Sequence, residues 1–219
     1  MDKTKIQIGC LLIASLIMIS SCGSEVKDRD GNVYKVVIIG KQKWMAENLA
    51  VNHFRNGDTI PEARSAEEWK MLGAKGKPAW CIEENTPGNG RKYGKLYNWY
   101  AVNDPRSLAP EGWHVPSDAE WTQLTDFLGG EIIAAIHMRT SGLTEKGKGS
   151  YESGFYGLPG GNRNNNGAFY GLGSYGYWWS VTEANSSKAR LRILNYPLCS
   201  IESVSYNKLY GISVRCLRN

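Results

Sequence analysis

No apolar run in this chain reaches the length of a membrane span. The longest, Ile6 to Ile19, has 14 residues, against about 20 for a helix that crosses a bilayer core. Like charges do not gather either. The basic residues are scattered without a dense block, so no nucleic-acid or other polyanion surface is marked. Histidine is scarce, and the three present, His53, His114 and His137, lie in no metal-ligand spacing. The G-x-S-x-G elbow, the P-loop and the dinucleotide fingerprint are all missing, which removes the common nucleophile and phosphate machinery. On this reading the chain has no assigned catalytic residue, no metal and no cofactor. Glu47, Asp118, Glu120 and Glu183 remain as carboxylates that could meet in space, although Glu120 stands where a helix cap would use it.

What is present begins with an address. Lys3 and Lys5 precede the apolar run, which stops at Ile19-Ser20-Ser21-Cys22. A positive start, a short apolar middle and small residues before a cut describe a secretory signal. Cys22 resembles the lipidated first residue of mature bacterial lipoproteins. Residues 1–21 are therefore expected to be a removed signal, 22–27 a short tether, and 28–219 a single domain. Removing the signal, with Asp2, Lys3 and Lys5, leaves 24 basic and 20 acidic side chains, a mild formal +4. The expected location is the cell envelope, held to the outer membrane by lipid, with the periplasmic and outward faces both open.

Twelve Tyr, eight Trp and 25 Gly fit a turn-rich, β-containing domain better than a helical bundle. Asp28 to Asn32 reads as a tight turn rather than a calcium loop, because the remaining ligands of such a loop are missing. Val33–Ile39 and Gln42–Met45 follow as strands. Ser65-Ala-Glu-Glu68 and Ser117-Asp-Ala-Glu120 both fit a capping box, so each should open a helix. Trp121, Leu124 and Leu128 recur at helical spacing before Gly129-Gly130. Tyr97 to Val102 suits a further helix, and residues 62–72 a shorter one. Strand-like runs at 177–182, 189–194 and 199–216 close the chain. Strands at both ends with helices between them predict an α+β fold with a mixed or antiparallel sheet, two or three helices and long loops.

Cys10 leaves with the signal and Cys22 is taken by lipid, so Cys81, Cys199 and Cys216 allow one disulfide at most. If 199–206 and 209–216 form a hairpin around Asn207-Lys208, Cys199 falls opposite Cys216 on a non-hydrogen-bonded pair, where side chains approach most closely. Lys208 weakens this pairing, because a two-residue hairpin turn prefers Asn-Gly. Cys81 with Cys216 is the alternative.

Five blocks together resemble one family. They are Gln42–Leu49, Tyr93–Trp99, Gly112–Trp121, Trp178–Glu183 and Gly211–Cys216, and the family is the Fibrobacter succinogenes major paralogous domain. The resemblance implies a C-type-lectin-like fold, exported and often lipid-anchored, with no assigned catalytic activity. The family often carries a second Cys near Asn89-Gly90, which this chain lacks, leaving Cys81 without its usual partner. Val115–Trp121 and Val214–Cys216 also resemble the formylglycine-generating sulfatase-modifying enzymes. That likeness stops at the scaffold, since those oxidases need a dedicated pair of thiols.

Recognition is expected in the Gly-, Asn- and Tyr-rich stretch 151–177, because loops on a rigid scaffold usually carry binding. The candidate ligand-binding residues are Tyr156, Asn162, Arg163, Asn164, Asn165, Tyr170, Tyr175 and Tyr177. Aromatic faces pack on sugars or peptide side chains, while amides and Arg163 exchange hydrogen bonds. Glycan or an envelope protein is the expected partner, and calcium is disfavoured because the asparagines have no carboxylates near them in the chain. The rival expectation is a structural or assembly component of the envelope whose aromatics are only core.

Overall fold

The computed structural model describes residues 24–139 and 153–219. Cys22 and the start of the 151–177 stretch lie outside the described residues. The first hairpin is built by turn chemistry. Strand β1 (Glu25–Lys27) pairs with β2 (Val33–Ile39). Asp28 Oδ1 accepts the Asn32 N–H at 2.9 Å, and Asp28 Oδ2 accepts from the Asn32 amide and the Tyr34 hydroxyl. Those carboxylate oxygens fasten a turn. Strand β2 then pairs antiparallel with β3 (Gln42–Met45).

Both expected capping boxes form. Ser65 caps α1 (Ala66–Ala74) and Ser117 caps α4 (Asp118–Phe127), each with its reciprocal Glu. Between them lie β4 (Trp80–Cys81), a 3-10 turn (Glu83–Asn85), α2 (Pro87–Tyr93), β5 (Leu96–Tyr97), α3 (Trp99–Val102) and β6 (Trp113–His114). The helix expected from Tyr97 starts two residues later, because the Asn98 side chain caps it by accepting the Ala101 N–H. Two helices were not foreseen. Glycines make α2 a poor helix by propensity, and α5 (Glu131–Met138) starts directly at the Gly130 read as a stop.

The second half is strand-rich: β7 (Gly160–Arg163), β8 (Phe169–Leu172), β9 (Tyr175–Glu183), β10 (Lys188–Asn195), β11 (Ser200–Asn207), β12 (Ile212–Ser213) and β13 (Leu217–Arg218). Three sheets result, ordered β1-β2-β3-β13-β6, β11-β10-β9-β12-β5-β4 and β7-β8. The pairings are antiparallel apart from β12 with β9. Helices and mixed sheets from one chain make an α+β fold.

Trp178 and Trp179 explain the layering. Adjacent strand residues point to opposite faces, and both tryptophans are fully buried. Trp178 packs with Trp44, Trp121 and Phe155 in one core, and Trp179 with Tyr97, Leu191 and Val214 in another. The large sheet is thus covered on both sides at these two residues.

The expected closing hairpin is also corrected. Strand β11 pairs along its whole length with β10, through Lys188 opposite Asn207 and Asn195 opposite Ser200. A turn does form, with the Tyr210 N–H on the Asn207 carbonyl at 3.0 Å. Neither Asn207 nor Lys208 takes the positive φ a two-residue hairpin needs. The chain therefore leaves that face, and Ile212-Ser213 inserts between β5 and β9. Cys199 stays in the β10–β11 turn, Cys216 is buried in the core, and Cys81, Cys199 and Cys216 are all free thiols. The Cys199–Cys216 disulfide is not formed, and neither is Cys81–Cys216.

Candidate functional site

Four of the five sequence blocks meet at one buried amide. Asn48 Oδ1 accepts the Trp178 indole N–H at 2.8 Å and the Arg215 Nε and Nη2 at 3.1 and 2.7 Å. The Asn48 Nδ2 donates to the Tyr93 carbonyl at 2.9 Å. Arg215 also donates to the carbonyls of Met45, Ala46 and Phe155, and lies over the Phe155 and Trp178 rings. Burial presses its pKa down to about 9, so it still carries its charge at neutral pH. Gly94 has a φ of +75°, and a Cβ there would sit 2.9 Å from the Asn48 Cβ. The fifth block joins through Trp121, whose ring centroid is 6.2 Å from that of Trp178. These residues build a scaffold.

At the edge of the core that holds Trp179 is a row of tyrosines. Ring centroids follow at 5.9 Å from Tyr175 to Tyr177, 6.3 Å from Tyr177 to Tyr206 and 5.0 Å from Tyr206 to Tyr210. Tyr175, Tyr206 and Tyr210 are half-buried and Tyr177 is buried. Strand β10 supports the row, since Tyr177 pairs with Ile193 and Tyr206 with Ala189 on its two neighbours. Burial raises the pKa of Tyr177 and Tyr206, so both of these phenols are donors near neutral pH. Tyr170, 57 % exposed, is the cross-strand partner of the buried Asn162.

Of the residues singled out in the sequence, Tyr175 and Tyr177 stand in this row, and Asn162 and Tyr170 face each other on β7 and β8. Tyr206 and Tyr210 were missed, because as residues of an expected hairpin they carried no recognition signal. Arg163 is built into the scaffold. It is 1 % exposed, donates to the carbonyls of Gly167, Ala63 and Arg64, and lies between the Trp69 and Phe169 rings. Asn164 Oδ1 accepts from the N–H groups of Asn166 and Ala168, a turn role. Asn165 is half-buried in the same turn. Tyr156 lies elsewhere, at the rim of a cleft of about 760 Å³ that Lys35, Arg91, Lys92 and Lys95 also line.

The carboxylates singled out in the sequence have structural partners. Glu47 accepts the Lys35 N–H, Glu120 caps α4 and meets His114 Nε2 at 2.9 Å, Asp118 pairs with Arg192, and Glu183 with Lys208. Glu83 differs. Its carboxylate is buried with no hydrogen-bond partner, and burial followed by repulsion from Glu84 raises its pKa to about 8. Glu84 and Asn85 both take φ of +52° to place it. Cys81 and Cys216 are buried, and burial pushes both thiols up to about 12. Among the described residues, no group of three His, Cys, Asp or Glu side chains could hold a metal ion.

Residues 37–218 match the Fibrobacter succinogenes major domain, and the chain belongs to that family. No curated protein and no solved structure matches it. Among the described residues no helix is long and apolar enough to cross a membrane.

Proposed function

We propose that this protein is a lipid-anchored binding module of the cell envelope that recognises glycan chains through its tyrosine row. One observation carries the reading: Tyr175, Tyr177, Tyr206 and Tyr210 stand as successive rings on a supported sheet face. Such faces pack against the apolar sides of sugar rings while protonated phenols donate to sugar oxygens. Tyr170 adds an exposed ring on β8, opposite Asn162 of β7. The α+β layering accords with the C-type-lectin-like fold that the sequence resemblance implies. Binding rather than catalysis is supported by the roles of the signature residues, which are spent on the Asn48 network, and by thiols held protonated. Anchoring rests on the signal and Cys22.

A glycan array tests the binding half. The wild-type chain should give signals that Tyr175→Ala and Tyr206→Ala remove at a temperature where both variants remain folded. Co-purification with a fixed envelope partner and a blank array would favour the assembly role instead. Metabolic labelling with a fatty-acid probe tests the anchor, and should mark the wild type but not Cys22→Ser.

A further inference from the structure

The cleft beside Tyr156 is separate from the tyrosine row, and its chemistry is different. It lies between β2 and α2 and holds about 760 Å³, within the range of small-ligand sites. Lys35, Arg91, Lys92 and Lys95 line it against one carboxylate, Glu47, whose Oε2 is already engaged by the Lys35 N–H at 2.8 Å. Among the described residues, none of those four cations is ion-paired. Lys95 is 8 % exposed, with its ammonium 4.0 Å from the Trp80 ring centroid. Its ammonium donates to Asn52 Oδ1, and burial holds its pKa down to about 8 against the pull of Asp30, Glu62 and Asp28. The rim is apolar where Val33 is 54 % and Tyr156 42 % exposed.

The position of the cleft says what fills it. Glu25 is the cross-strand partner of Lys35, so the two backbones lie about 5 Å apart. Glu25 is three residues from Cys22, a reach of at most about 10 Å. A lipid on Cys22 would hold the basic cleft near the headgroup layer, where phosphate is dense and where aromatic rings such as Tyr156 favour the interface.

We infer that this cleft docks onto the phosphate-bearing headgroups of anionic membrane lipids, orienting the domain on the membrane that anchors it. The inference rests on the proposed acylation of Cys22 for its setting, but its test does not. All the elements described lie between Glu25 and Arg218, so the chain begun at Cys22 and produced without an acyl group contains every one of them.

That chain is sedimented with phosphatidylcholine vesicles and with vesicles containing phosphatidylglycerol. Binding should be saturable and at least about tenfold tighter to the anionic vesicles, and should weaken as salt rises. Lys35→Gln/Arg91→Gln/Lys92→Gln should lose that preference at an unchanged melting temperature. Lys70→Gln/Lys75→Gln/Lys77→Gln, which removes equal charge on and after α1, should keep it. Equal losses in the two triple variants, or no preference between vesicles, would overturn the inference. So would saturable binding of inorganic phosphate that the cleft variant abolishes while vesicles stay unbound, since the cleft would then serve a soluble anion. Loss of fatty-acid labelling bears on the anchor alone and leaves this result unaffected.

Discussion

Asn48 and Arg215, 167 residues apart in the chain, meet through two hydrogen bonds of 2.7 and 3.1 Å to a single amide oxygen that Trp178 shares. One side chain thus joins strand β3's exit, the long strand β9 and the C-terminal segment. Asn48→Ala strands two Arg215 N–H groups and one indole N–H in a dry interior. Each unmade bond of this kind costs about 1–3 kcal/mol, so a loss of about 3 kcal/mol or more is expected from urea unfolding. Arg215→Met should cost a similar amount, and the double variant should cost clearly less than the two together. Additive losses would show that the two residues do not act as one unit.

Arg163 separates a structural role from a recognition role. Its guanidinium serves three backbone carbonyls and two aromatic rings, so Arg163→Ala should destabilise the domain by about 2–4 kcal/mol. Thermal melting reads this directly. An unchanged melting temperature with lost ligand binding would return Arg163 to the ligand site.

Glu83 supplies a pH signature. Its carboxyl is raised from 4.5 to about 8 in the folded protein, so the native state holds a proton that the unfolded chain releases. That contribution is complete below about pH 4.5 and is lost as pH rises through about 8. Wild type should therefore lose stability between those limits, and Glu83→Gln should flatten this part of the curve. Matching slopes in the two proteins would contradict the assignment.

The local signals were legible in the sequence, and the long-range choices were not. Ser65 with Glu68 and Ser117 with Glu120 act within a few residues, so their helices could be read directly. The turn held by Asp28 and Asn32 is equally local. Strand β11 had two partners with comparable alternation, and the backbone at Asn207-Lys208 decided for β10. That decision moved Cys199 away from Cys216 and placed Tyr206 beside Tyr177. Half of the tyrosine row was thus hidden by a pairing that no short window contains.

Free thiols follow from the same pairing. In the native protein a small alkylating reagent should label the partly exposed Cys199, while the buried Cys81 and Cys216 react only after unfolding. Mass spectrometry before and after denaturant checks this. Protection of Cys199 and Cys216 together that reductant removes would restore the disulfide.

Ring-proton chemical shifts during titration with a glycan from the array test the binding account most directly. The account predicts saturable shifts at Tyr175, Tyr177, Tyr206 and Tyr210, with Tyr34 and Tyr97 in the core unmoved. Saturable shifts confined to residues outside the row, or none with any glycan that the chain retains, would contradict it.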